Sequence, residues 1–181
     1  MSTSSLGVCA LRFLTAIEEI LAMKPTWTKF WNEYPDYGSY PDSATVKKEI
    51  GGDVDAAYIT NTCAIRLSRG LNNSGAPVPS NFAGMLTVKG GDKLNYALRV
   101  AEMRKWLPTV LGKPTFDATK KSGAAFDKTP IAKFNGIIAF DIHFPDATGH
   151  LDAWDGSTFS SEYKVTRDYW TSATRITLWA L

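Results

Sequence analysis

Apolar side chains recur at helical spacing in the first part of the chain and at strand spacing toward its end. Over residues 6–21, Ala10, Phe13, Leu14, Ile17 and Leu21 mark an amphipathic helix. Trp27, Phe30, Trp31 and Tyr34 mark a shorter one stopped by Pro35, and residues 44–50 form a third that ends at Gly51-Gly52. Residues 54–60 then lead into Asn61-Thr62-Cys63-Ala64-Ile65-Arg66-Leu67-Ser68. Asn61 is a good N-cap, which puts Cys63 in the opening turn. Ala64, Leu67, Ser68 and Leu71 form a small-to-apolar face until Asn72-Asn73-Ser74-Gly75 ends the element. Leu98, Ala101, Met103, Trp106, Leu107 and Val110 predict a further helix over residues 95–111, with Pro108 as a kink or stop.

Residues 112–130 are polar, with Gly and Pro at their edges, and read as a surface excursion. Gly136-Ile137-Ile138-Ala139-Phe140 is an apolar run of strand length, and alternation carries it through Phe144. After a turn at residues 145–148, period two places His150, Asp152 and Trp154 on one face of a second strand. Asp155-Gly156 is a hairpin signal, so the returning strand brings Ser161 or Glu162 opposite His150. Residues 174–181 close the chain as a last strand. Helices first and strands later argue for an α+β domain with a mostly antiparallel sheet.

The totals narrow the function classes. At 181 residues, 44% hydrophobic and 21% charged, the chain has the size and composition of one globular domain. A net charge of +2, with lysine pairs at 47–48 and 120–121 that never extend into a basic run, argues against nucleic acid as a partner. Residues 6–21 are too short and too amphipathic to span a membrane. They also fit a secretory signal poorly, since no basic segment precedes them, Arg12 interrupts them and Glu18-Glu19 follow them. Residues 1–23 therefore read as an extension or extra helix, with Met23 a candidate start and residues 24–181 as the domain. Cys9 and Cys63 make no disulfide framework, and a bridge between them is the less favoured reading. Two histidines without His-Glu-x-x-His or Cys-x-x-Cys spacing give no zinc site, and Gly51-Gly52 and Gly90-Gly91 lack the lysine of a phosphate loop. No cofactor is expected.

What remains is thiol chemistry. Backbone N–H groups and the helix dipole stabilise an anion at a helix N-terminus, where Cys63 stands. A histidine can draw off the thiol proton and later protonate a leaving amine, while a third polar group orients the ring. His150 is the preferred base, because Gly149 opens the approach to it and its strand offers orienting groups. His143 is the competitor. The Cys63 N–H with Asn61 is a candidate oxyanion site, and Trp154 a candidate substrate contact. Against this stands the ordinary fate of a lone cysteine in a helix, a small buried hydrophobe.

The 61–68 segment with Leu71-Asn72 and Gly75, then Gly136-Ile137-Ile138-Ala139-Phe140, then Gly149-His150 with Trp154 and Gly156, resemble the type VI secretion amidase effector family of the fourth class. Gly51-Gly52, Tyr96 with Arg99-Val100, and Gly112-Lys113-Pro114 agree as well, so the resemblance spans roughly residues 24–181. It implies a papain-like (NlpC-type) fold and a cysteine-dependent amidase that cleaves peptidoglycan stem peptides between γ-D-glutamate and meso-diaminopimelate. Cys63 matches the family nucleophile and His150 the family base. The family's third residue, an aspartate, falls at Ser161 by direct register, which leaves Glu162 or Asp152 as the orienter. The resemblance further implies a dedicated immunity protein, and synthesis in the cytoplasm followed by delivery to the periplasm of a target bacterium. The alternatives are another papain-like thiol hydrolase or acyltransferase, and a non-catalytic cell-wall-binding module built on the aromatics.

Overall fold

The computed structural model describes residues 24–181 apart from 122 and 146. The helix expected over residues 6–21, Cys9 and Met23 lie outside the described residues. Helix α1 (Trp27–Glu33) is capped by Thr26, and α2 (Ser43–Ile50) by Asp42, whose carboxylate accepts from the Thr45 amide at 2.8 Å. Helix α3 (Cys63–Ser74) runs through the centre, and it buries Ala64, Ile65, Arg66, Leu67 and Ser68 on successive sides. The predicted apolar face is therefore part of a helix wrapped on almost every side. It meets α1 at Gly70, where a β-carbon would stand 2.6 Å from the Phe30 ring. Gly75 ends α3 at φ 105°, the left-handed conformation glycine adopts without strain.

A two-stranded antiparallel ribbon, β1 (Thr87–Lys89) and β2 (Asn95–Ala97), precedes α4 (Val100–Leu111). Residues 95–97 thus correct the predicted helix. Asn95 bonds the Val78 carbonyl and the Ala97 amide donates to Ser68 Oγ, anchors that an extended backbone supplies. Pro108 sits inside α4 and the helix continues one turn past it. The glycine pairs are packing devices as well as turns: a β-carbon on Gly52 would stand 2.6 Å from the backbone of Gly90 and Gly91.

The main sheet is antiparallel, in the order β3-β6-β4-β5, built from β3 (Phe116–Thr119), β4 (Gly136–Asp141), β5 (His150–Trp154) and β6 (Arg175–Ala180). Strand β3 corrects the reading of residues 112–130 as pure excursion; its four residues are too few for alternation to stand out. Strand β4 ends at Asp141, short of the expected Phe144. The segment after Asp155-Gly156 returns with one bridge, Trp154 to Phe159, and no regular strand. One sheet face, with Ile137, Ala139, Leu151 and Ala153, packs in the same core as Leu67 and Leu71 of α3. The other, with Ile138, Phe140 and Trp154, packs against Phe159, Tyr169 and Trp170, the last two from the short helix α5 (Tyr169–Ser172).

Candidate active site

The N-terminus of α3 and the start of edge strand β5 bring Cys63 and His150 together. Thr62, not Asn61, is the N-cap of α3 and makes no side-chain cap bond. Asn61 takes over that task from one residue earlier, its Oδ1 accepting from the Cys63 N–H at 3.1 Å. Cys63 is a free thiol only 3% exposed and packs within the core, as a structural cysteine would. What sets it apart is its neighbour. His150 is buried at the head of β5, which approaches β4 closely because Gly149 has no side chain: a β-carbon there would stand 2.5 Å from the Phe140 carbonyl oxygen. Gly149 therefore serves strand packing, rather than access.

The histidine is held by a dense polar network. Its Nε2 lies 3.1 Å from Asp152 Oδ2 and 3.1 Å from Ser161 Oγ, and Ser161 Oγ donates to the same Asp152 oxygen at 2.6 Å. Asp152 is fully buried and accepts in addition from the Ser161 amide at 2.9 Å, the Ala153 amide at 2.8 Å and the Tyr34 hydroxyl at 2.8 Å. Burial pushes its carboxyl upward, but the imidazole and these donors outweigh that and hold it below the usual carboxylate range. Burial likewise disfavours the imidazolium of His150. The Asp152 bond, a hydrogen bond to the Cys63 side chain and both their charges overcome it, raising His150 to about 9. With Nε2 committed to Asp152 and Ser161, Nδ1 is the ring nitrogen left for the thiol.

Of the two orienters left open by the sequence, Asp152 reaches the imidazole. Glu162 instead receives Lys128 at 2.7 Å and the Trp170 indole N–H at 2.8 Å, which ties down α5. Ser161, the position at which the resemblance implies an aspartate, joins the network as a bridge between Asp152 and the ring. Trp154 is fully buried, donates to the Ile131 carbonyl at 3.1 Å and faces Trp170, so its place is the core rather than a substrate surface. His143 lies past the end of β4, where it lines a cavity together with Cys63, and it takes no part in the network that Asp152 and Ser161 build around His150.

Sequence reasoning missed the wall around the pair. Arg66 is fully buried in α3 and donates to the carbonyls of Pro35 at 2.6 Å, Tyr40 at 2.7 Å and Asp42 at 3.1 Å. Its guanidinium lies 3.8 Å over the Tyr37 ring. This arginine shapes the 35–42 loop and presents Tyr37 toward His150, ring centroids 6.5 Å apart. Tyr169 approaches the imidazole from α5 at 5.3 Å, edge on. Helical spacing puts Arg66 opposite the predicted apolar face, where an arginine reads as solvent-facing, so its burial carried no sequence signal. The tyrosines carried none.

Two cavities open beside the pair. One, of about 390 Å³, is lined by Cys63 and Asn61 together with Leu98, Arg99, Val100 and Phe144. The other, of about 510 Å³, is lined by His150, Ser161, Tyr37, Tyr169, Lys164 and again Asn61. Asn61 lines both, so the cavity of the thiol and the cavity of the imidazole adjoin at that residue.

Residues 59–179 match the family described as type VI secretion system (T6SS), amidase effector protein 4. The chain belongs to this family. It is 34% identical to Tae4 of Enterobacter cloacae, solved in complex with Tai4, over 88% of this chain and 99% of that one, with a TM-score of 0.75. It is 28% identical to Tae4 of Salmonella typhimurium, solved with Tai4, over 87% of this chain and 99% of that one, also with a TM-score of 0.75. No curated protein matches. The α+β, papain-like arrangement expected from the sequence is that of the Tae4 structures. As a T6SS amidase effector, the chain falls among antibacterial hydrolases.

Proposed function

We propose that this Tae4-family chain is a cysteine-dependent amidase that hydrolyses the bond between γ-D-glutamate and meso-diaminopimelate in peptidoglycan stem peptides. The observation that carries the reading is the His150 imidazole, oriented through Nε2 by buried Asp152 and raised to about 9 by Asp152 and Cys63. With the proton drawn from Cys63 already resting on Nδ1 of His150, the sulfur attacks the γ-carbonyl carbon. The Cys63 N–H is the natural donor to the developing oxyanion. It is bonded to Asn61 Oδ1 in the resting state, so Asn61 must turn away, which frees that N–H and brings its own amide N–H₂ toward the same oxygen. As the C–N bond breaks, the imidazolium gives its proton to the departing diaminopimelate amine, leaving a thioester on Cys63. His150 then deprotonates a water that hydrolyses the thioester, releases the D-glutamate carboxylate and restores the thiol.

On this reading residues 24–181 form the amidase domain. An immunity protein of the Tai4 kind is its partner, and the periplasm of a target bacterium its place of action. Digestion of purified muropeptides, monomeric and cross-linked, by wild type and Cys63→Ala with products read by mass spectrometry is the test. Cleavage after D-glutamate by wild type alone is expected. No cleavage by either, with Cys63 still labelled readily by iodoacetamide, keeps a thiol enzyme and discards this substrate.

A further inference from the structure

The reaction fixes which way the substrate lies, and with it a residue that reads the substrate. His150 must protonate the leaving amine, so the leaving half lies on the cleft side that His150 lines, and the acyl half, bonded to Cys63, lies on the side it does not. The first is the cavity with Tyr169 and Lys164; the second is the cavity with Leu98, Arg99 and Phe144. A glutamate linked through its γ-carboxyl keeps a free α-carboxylate beside the scissile carbonyl. The acyl half therefore carries one negative charge into a largely apolar cavity.

Of the side chains that line this cavity, which include His143, Arg99 is the one with a permanent positive charge. Its side chain is 64% exposed, and one Nη1 contact, to Glu102 Oε1 at 3.0 Å, holds it at the cavity rim. Glu102 is itself fixed, its other oxygen accepting from the Leu86 amide at 2.7 Å. The guanidinium keeps further N–H donors for a ligand, and the planar fork suits a carboxylate. The first turn of α4, which no side chain caps, adds its N–H groups to the same wall.

We propose that Arg99 is a specificity-determining residue that binds the free α-carboxylate of the D-glutamyl acyl half, and so selects D-glutamate over its α-amide, D-isoglutamine. This rests on the proposed amidase reading. Lys164 and Asp42, which line the opposite cavity, carry the opposite charges that the amine and carboxylate of a diaminopimelate side chain would meet. That agrees with the same direction of binding.

The experiment uses four synthetic stem peptides, with D-glutamate or D-isoglutamine at the second position and diaminopimelate or L-lysine at the third. kcat/KM is measured for wild type, Arg99→Gln and Arg99→Lys. Wild type should prefer D-glutamate over D-isoglutamine by about 10- to 100-fold, the discrimination one charge-assisted contact supplies. Arg99→Gln should bring that ratio below about threefold, and Arg99→Lys should restore part of it. A wild type indifferent to the amide overturns the proposal without any variant. So does an Arg99→Gln enzyme that keeps the preference, or one that loses discrimination between diaminopimelate and lysine instead. Cleavage of a different bond, or of none, by wild type would point to failure of the amidase reading; cleavage of the expected bond with no role for Arg99 sinks this inference alone.

Discussion

Asp152→Asn separates orientation from packing, because the amide has the carboxylate's shape but only one oxygen. Five donors converge on Asp152: Tyr34 Oη and the Ala153 amide on Oδ1, and the Ser161 amide, Ser161 Oγ and His150 Nε2 around Oδ2. If the asparagine oxygen keeps the Oδ1 pair, its N–H₂ faces the other three. Ser161 Oγ can turn to accept, and His150 can accept by moving its proton from Nε2 to Nδ1. The Ser161 amide can do neither and is stranded, at about 1–3 kcal/mol for a buried unmet donor. The lost charge on two remaining bonds adds a similar amount, so the variant should be about 2–5 kcal/mol less stable and melt roughly 5–15 °C lower, at a few degrees per kcal/mol for a chain of this size. The catalytic effect is larger than stability alone suggests. The tautomer that rescues the network puts the proton on the nitrogen that faces Cys63, where a base is needed. The analogous change in a serine protease triad costs about 10⁴ in kcat, and we expect a loss of about 10²–10⁴ here. The assay is stem-peptide cleavage followed across pH, beside thermal unfolding of the same preparations. A folded Asp152→Asn protein with near-wild-type turnover refutes the reasoning, and loss on Glu162→Gln instead would move the orienter to Glu162.

Other consequences follow from the same contacts. His150→Ala should lower turnover by about 10³-fold or more while His143→Ala changes it little, measured on the same peptides; equal loss in both would show that the base is misassigned. Because His150 is raised to about 9, the group that protonates the leaving amine is charged at neutral pH. Activity should therefore fall on an alkaline limb near pH 9, and a limb near 6.5 would contradict the network. The same shift bears on stability: raised above its unfolded value, His150 contributes roughly 3 kcal/mol that is fully present below about pH 6.5 and lost as pH rises through about 9, which unfolding by denaturant at a series of pH values would record. Gly70→Ala forces a β-carbon against Phe30, and should destabilise the fold by about 1–3 kcal/mol in a urea titration with little effect on the chemistry of the surviving native protein.

Much of this site was legible in the sequence because its pieces are local. A capped helix start fixed Cys63, and period two put His150 and Asp152 on one strand face, so the contact between them is a matter of strand geometry. The α+β order and strands β4, β5 and β6 followed from long apolar or alternating runs. What escaped depended on distant partners. Residues 95–97 carry a helix-like pattern into a strand because the Val78 carbonyl and Ser68 hydroxyl are met there. Trp154 shares a face with His150, yet it ends under Trp170, which no spacing could reveal. Helical spacing placed Tyr34 in the first short helix and nothing more; its hydroxyl reaches 118 residues along the chain to Asp152.

The reading that links all of this is that Cys63 becomes acylated. The most direct measurement is intact-mass and peptide-map analysis of wild type mixed with stem peptide and quenched in acid within the first turnover. The account predicts a transient adduct on the Cys63 peptide, with the mass of the acyl half ending in D-glutamate and none of the diaminopimelate half. An adduct on another residue, or continued cleavage by Cys63→Ala with no adduct at all, would contradict it.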